Sequence, residues 1–141
     1  MTKRDIINKV KTLNLPKDSY IVFGSGPLAA AGIREVNDID LLVSEEAYEE
    51  LEKRGWRKIN KGPNDSPLTH DVFEAHDNWN FSSYNPTLKE LLANAVYVDE
   101  VPLASLSDVK KWKVASRGAK HLADIELIDS YNQKWPKRYN D

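Results

Sequence analysis

Asp38 and Asp40 stand two apart in the run Asp38-Ile39-Asp40-Leu41-Leu42-Val43. In an extended strand, residues i and i+2 project from one face, so the two carboxylates lie side by side while Ile39 and Leu41 point into the core. Two adjacent anions repel unless a cation neutralises them, and hard oxygen donors of this kind suit Mg²⁺ or Mn²⁺. A surface strand carrying two solvated acids is the plain alternative. Twelve residues separate Asp38 from Gly24-Ser25, which opens Gly24-Ser25-Gly26, a glycine turn at the end of a β-branched and aromatic run. Between a strand and a helix, such a turn lets backbone N–H groups approach an anion at the positive end of the helix. By itself it is equally a simple tight turn.

The elements that must carry these residues follow from periodicity. Ile6, Ile7, Val10 and Leu13 recur at helical spacing over residues 5–13, and Asn14-Leu15-Pro16 ends the pattern. Residues 19–23 predict a strand, and Pro27 to Ala31 a helix with proline in its first turn. Residues 38–43 predict a half-buried strand, and Ser44 caps a helix that Gly55 closes. Residues 56–59 and 68–75 predict two strands joined by the turn-rich Gly62-Pro63-Asn64-Asp65-Ser66-Pro67. A helix over 87–95, a strand over 95–101 and helices over 107–116 and 121–135 complete the order α-β-α-β-α-β-β-α-β-α-α.

Composition bounds the function classes. The chain has 141 residues, 40% of them hydrophobic, which suits one globular domain with a real core. Twenty basic residues against 22 acidic ones give a formal charge of -2, so no global attraction to nucleic acid or an acidic membrane is built in. There is no cysteine, hence no disulfide framework or thiolate metal site, and no apolar run long enough to span a membrane. A cytoplasmic protein is expected.

The glycine turn and the acidic pair together resemble the nucleotidyltransferase superfamily, whose pattern is a hydrophobic strand, Gly-Gly or Gly-Ser, a spacer, then Asp-hydrophobic-Asp/Glu-hydrophobic. Here it reads Ile21-Val22-Phe23-Gly24-Ser25, then Asp38-Ile39-Asp40-Leu41. The stretch from Gly24 through Arg34 into Asp38, with Leu106-Ser107-Asp108-Val109, Lys113, Arg117, Lys120 and Asp124, looks more narrowly like the branch of abortive-infection and toxin-antitoxin nucleotidyltransferases. The resemblance implies an α/β (α+β) nucleotidyltransferase fold, a mixed β-sheet flanked by helices, with C-terminal helices. It also implies a divalent metal, an NTP substrate, and transfer of a nucleoside monophosphate to an acceptor hydroxyl with pyrophosphate leaving. The acceptor is left open between protein, RNA and small molecule, and a regulatory protein partner fits the branch.

The resemblance further implies a third carboxylate on a neighbouring strand, and His70-Asp71-Val72-Phe73-Glu74-Ala75-His76-Asp77 offers it. Asp71 fits the family's strand entry and is expected to complete the metal site with Asp38 and Asp40, with Glu74 as the runner-up on the opposite strand face. Lys113 and Arg117, four apart and so on one helix face, together with Lys120, are expected at the triphosphate beside Gly24, Ser25, Gly26 and Arg34. A solvated stripe is the alternative for these cations, and bracing of the loop before Asp38 is the alternative for Arg34. His121 stands where the family carries an aspartate. His70 and His76 read as solvent or substrate neighbours, Trp56 and Trp112 as core, and Trp79 as a lid or acceptor-binding edge. The basic, aromatic tail after Lys134 is a weak nucleic-acid signature. A catalytically inactive nucleotide-binding or protein-interaction module of the same fold is the competing reading.

Overall fold

The computed structural model describes residues 1–134. The expected end of the last helix at Trp135, and the rest of the basic tail, lie outside the described residues. The order is α1 (Lys3–Thr12), β1 (Tyr20–Phe23), α2 (Gly26–Ala30), β2 (Ile39–Val43), α3 (Glu45–Lys53), β3 (Arg57–Lys58), β4 (Leu68–His70), β5 (Phe73–His76), α4 (Leu88–Ala93), β6 (Val96–Val98), β7 (Val101–Leu103), α5 (Leu106–Ser116) and α6 (Ala119–Lys134). Local chemistry sets several of these starts. Thr2 with Asp5, and Thr87 with Glu90, form reciprocal capping boxes, while Ser44 and Ser105 accept from Ala47 N and Asp108 N.

The strands form one mixed sheet in the order β3-β4-β5-β2-β1-β7-β6. β1 pairs antiparallel with β2 and parallel with β7, and β2 pairs parallel with β5. One face carries Val22, Ile39, Leu41, Val43, Phe73 and Ala75 against α1 and α3. The other carries Ile21, Phe23 and Leu42 against Leu91 of α4, Leu106 and Val109 of α5 and Ile128 of α6. Burial of both faces fixes the strand register, because a one-residue slip would move each side chain to the opposite face and out of the core it packs in. Among the described residues no helix is long and apolar enough to cross a membrane.

Two expected strands are hairpins. The run 68–75 is β4 and β5, paired Leu68↔Ala75 and His70↔Phe73 around the two-residue turn Asp71-Val72, with Asp71 at φ 53°. The run 95–101 is β6 and β7 around Asp99-Glu100, at φ 48° and 69°, the paired positive values of a type I′ turn. Aspartate enters this backbone region more readily than most residues, which suits Asp71 and Asp99 to the first position of their turns.

Candidate active site

β2 and β5 run parallel with Asp40 directly beside Glu74. Both belong to the sheet face under α4, α5 and α6, opposite the row Ile39, Leu41, Phe73 and Ala75. His76, two residues on, shares that face and is nearly buried at 6% exposure. Asp40, Glu74 and His76 each offer a ligand atom, and these atoms lie within 4.8 Å of one another. Glu74 Oε1 receives Lys61 Nζ at 2.8 Å and stands 3.0 Å from His76 Nε2. Those contacts, led by the one to His76, hold the Glu74 carboxyl at about 2. Asp40 is pushed the other way, to about 6, first by burial and then by the charge of Glu74. Asp38, exposed at the entrance to β2, adds its own negative potential at Asp40. A half-buried carboxylate in this position is stabilised by a cation, and two carboxylates with one imidazole suit a divalent one.

The glycine turn meets this cluster at close range. Gly24 sits at φ +60°, and a Cβ built there would lie 2.2 Å from Asp40 Oδ2, so the position excludes a side chain on both counts. Ser25 leads to a second cluster. Its Oγ is 3.0 Å from Lys113 Nζ, which lies 2.9 Å from Asp124 Oδ2 and 3.4 Å from His121 Nδ1. Arg34 clasps the same Asp124 through Nε and Nη2 at 2.7 and 2.8 Å. Burial alone would raise Asp124, but its bonds to Arg34 and Lys113 outweigh that and hold it at about 2. Lys113, 1% exposed, is lowered chiefly by burial, with Asp124 opposing the shift. Two cations against one carboxylate leave positive charge on this side of the turn. The anionic cluster lies on the other.

The structure therefore brings Asp40, Gly24, Ser25, Arg34 and Lys113 together, with Asp38 at the rim and Gly26 opening α2. It does not bring Asp71 to the pair. Asp71 occupies the β4–β5 turn, exposed, with its Oδ2 2.9 Å from Lys9 Nζ of α1. The turn, absent from the expected single strand, is what removes it, and Glu74 stands beside Asp40 instead. Arg117 and Lys120 also depart from expectation. Arg117 ends α5 in the left-handed region at φ 56°, off the face of Lys113, and both are exposed.

Trp79 is no lid. It is 3% exposed, with its ring 4.8 Å from Phe23 and 5.3 Å from Trp112, and the ring of His76 lies 4.8 Å away. This aromatic packing fixes the His76 ring behind the carboxylates. Trp56 is core as expected, and His70 stacks on it at 5.4 Å on the sheet face away from His76. Trp112 packs against the second core.

No family model matches the chain, and no curated protein matches it. Two solved structures do. The solution structure of the antibiotic-resistance factor ANT(2'')-Ia matches with a TM-score of 0.56 at 16% identity, covering 91% of this chain and 80% of that one. The crystal structure of ANT(2'')-Ia in complex with adenylyl-2''-tobramycin matches with a TM-score of 0.55 at 16% identity, covering 89% and 84%. The chain shares the fold of these two structures. Within that fold, the turn Gly24-Ser25 and the strand carrying Asp40 are adjacent antiparallel strand ends, as the register Phe23↔Asp40 shows. Glu74 and His76 enter from the parallel neighbour β5. The alternation Glu74-Ala75-His76 was the sequence signal for that pairing.

Proposed function

We propose that the chain transfers a nucleoside monophosphate from an NTP to an acceptor hydroxyl. The observation that carries this reading is the placement of an anionic cluster, Asp40 with Glu74, against a net cationic one, Lys113 and Arg34 on Asp124, with Gly24-Ser25 between them. Asp40, Glu74 and His76, with Asp38 at the rim, would hold Mg²⁺ or Mn²⁺. When bound, such an ion neutralises triphosphate charge and favours ionisation of the acceptor hydroxyl. Ser25 and Lys113 supply the donor side for phosphate, and the aromatic packing around Trp79 keeps water from the back of the carboxylates.

In the reaction an acceptor oxygen bonds to the α-phosphorus, the α,β-anhydride bond breaks, and pyrophosphate leaves. The hydroxyl proton passes to the carboxylate cluster of Asp40 and Glu74. The crystal neighbour is in complex with adenylyl-2''-tobramycin, a nucleotidyl group joined to a small molecule, which supports a small-molecule acceptor. The resemblance to the abortive-infection and toxin-antitoxin branch supports protein or RNA acceptors and a regulatory protein partner. For RNA, the exposed Lys111, Arg117 and Lys120, with the half-buried Lys110 beside them, would supply the backbone contacts.

The test is incubation with each NTP labelled at the α-phosphate, Mg²⁺ and a cell lysate, scored for label in protein, RNA and small-molecule fractions and for pyrophosphate. Label transfer that Asp40→Asn abolishes supports the reading. NTP consumption unchanged in Asp38→Asn and Asp40→Asn would refute it. Nucleotide binding insensitive to Mg²⁺, without pyrophosphate release, would favour the non-catalytic module.

A further inference from the structure

We propose that Lys61 is a tethered counter-ion of the carboxylate cluster, seated on Glu74 and displaced when a divalent cation loads. The inference rests on the reading of Asp40 and Glu74 as a metal site. Lys61 belongs to the connection between β3 and β4, which closes on itself through Ile59 N to Pro67 O at 2.9 Å, Lys61 N to Asp65 O at 2.8 Å and Asp65 N to Gly62 O at 3.1 Å. This folded tip stations Lys61 over β5. Its ammonium is 2.8 Å from Glu74 Oε1, and its field reaches Asp40 as well.

Glu74 Oε1 already has two partners, Lys61 Nζ and His76 Nε2. A cation that takes this oxygen must replace one of them or stand against an ammonium of like charge. The His76 ring stays beside Glu74, because it is nearly buried and packed by Trp79 and Phe81. Lys61 can leave. Its side chain is 43% exposed, on a flexible four-carbon stem that regains rotamer freedom on release. A partly exposed ion pair of this kind is worth at most about fivefold in an equilibrium, enough to compete with the ion without excluding it.

The experiment is Mn²⁺ titration of the full chain without nucleotide, with the free aquo ion read by electron paramagnetic resonance. Lys61→Met is expected to bind Mn²⁺ about fivefold more tightly than wild type, and Lys61→Arg to stay close to wild type. In parallel, amine acylation read by mass spectrometry should show Lys61 becoming more reactive as Mn²⁺ is added, while Lys58, paired with Glu52, stays constant. Equal or weaker Mn²⁺ binding by Lys61→Met, or Lys61 reactivity unmoved by Mn²⁺, overturns the proposal. Asp40→Asn separates the two levels. If it weakens Mn²⁺ binding while Lys61→Met has no effect, the counter-ion fails and the metal site stands. If Asp40→Asn leaves Mn²⁺ binding intact, or wild type binds none, both fail.

Discussion

Replacing Gly24 with alanine tests the contact between the glycine turn and Asp40. Two costs are expected there. At φ +60° an alanine occupies the left-handed region, at about 1–2 kcal/mol. Its Cβ would also lie 2.2 Å from Asp40 Oδ2 and 2.9 Å from both Asp40 Cβ and Cγ, and overpacking of this kind costs about 1–3 kcal/mol. Gly32→Ala is the internal standard, since Gly32 has φ +75° with nothing within 4 Å of its added Cβ and so carries only the first cost. Denaturant unfolding should place Gly24→Ala about 1–3 kcal/mol below Gly32→Ala. In an Asp40→Ala background, which removes the carboxylate, most of that excess should vanish as a coupling energy. In the Asp40-containing protein, nucleotide transfer should fall by about 100-fold, the order of loss from an ångström of misplacement. Equal stabilities for Gly24→Ala and Gly32→Ala, or an excess that persists without the Asp40 carboxylate, would refute the reasoning.

Glu74→Gln should abolish transfer, whereas Asp71→Asn, which keeps a side chain suited to φ 53° and loses only an exposed ion pair, should retain transfer and the unfolding midpoint, as read from steady-state rates and denaturant melts. Asp40 ties stability to pH: its pKa rises from the ordinary 3.8 to about 6 on folding, so the folded chain binds more protons in that window and stability falls as pH rises through it. Asp40→Asn should therefore be more stable than wild type above pH 6, by at most about 3 kcal/mol, with the gap closing toward pH 4 in thermal melts. Asp124→Asn leaves the nearly buried Lys113 without its carboxylate and should cost about 3–5 kcal/mol in denaturant unfolding.

The alternation of Asp38 to Val43 was legible because one face of β2 is wholly apolar, and the helix after it was legible from its cap Ser44. The two hairpins were not. A two-residue turn without glycine or proline leaves an apparently unbroken β-rich run, so Asp71 and Glu74 looked like members of one strand. The Asp71-Val72 turn changes which face each residue takes: Leu68, His70, Phe73 and Ala75 share one side, which separates His70 from His76. Lys113 shows a second limit. Helical spacing grouped it with Arg117, but the left-handed end of α5 at Arg117 and the pull of Asp124, distant in sequence, part them. Long-range ion pairs such as Arg34 with Asp124 leave no local periodicity, and the three-way packing of His76, Trp79 and Phe23 leaves none either.

The most direct test of the central claim is the anomalous scattering of Mn²⁺ in crystals grown with a non-hydrolysable NTP analogue. The expected map has an anomalous peak between Asp40 and Glu74, with the triphosphate running past Gly24-Ser25 toward Lys113. A peak away from both carboxylates, or a nucleotide bound elsewhere on the chain, would contradict the account.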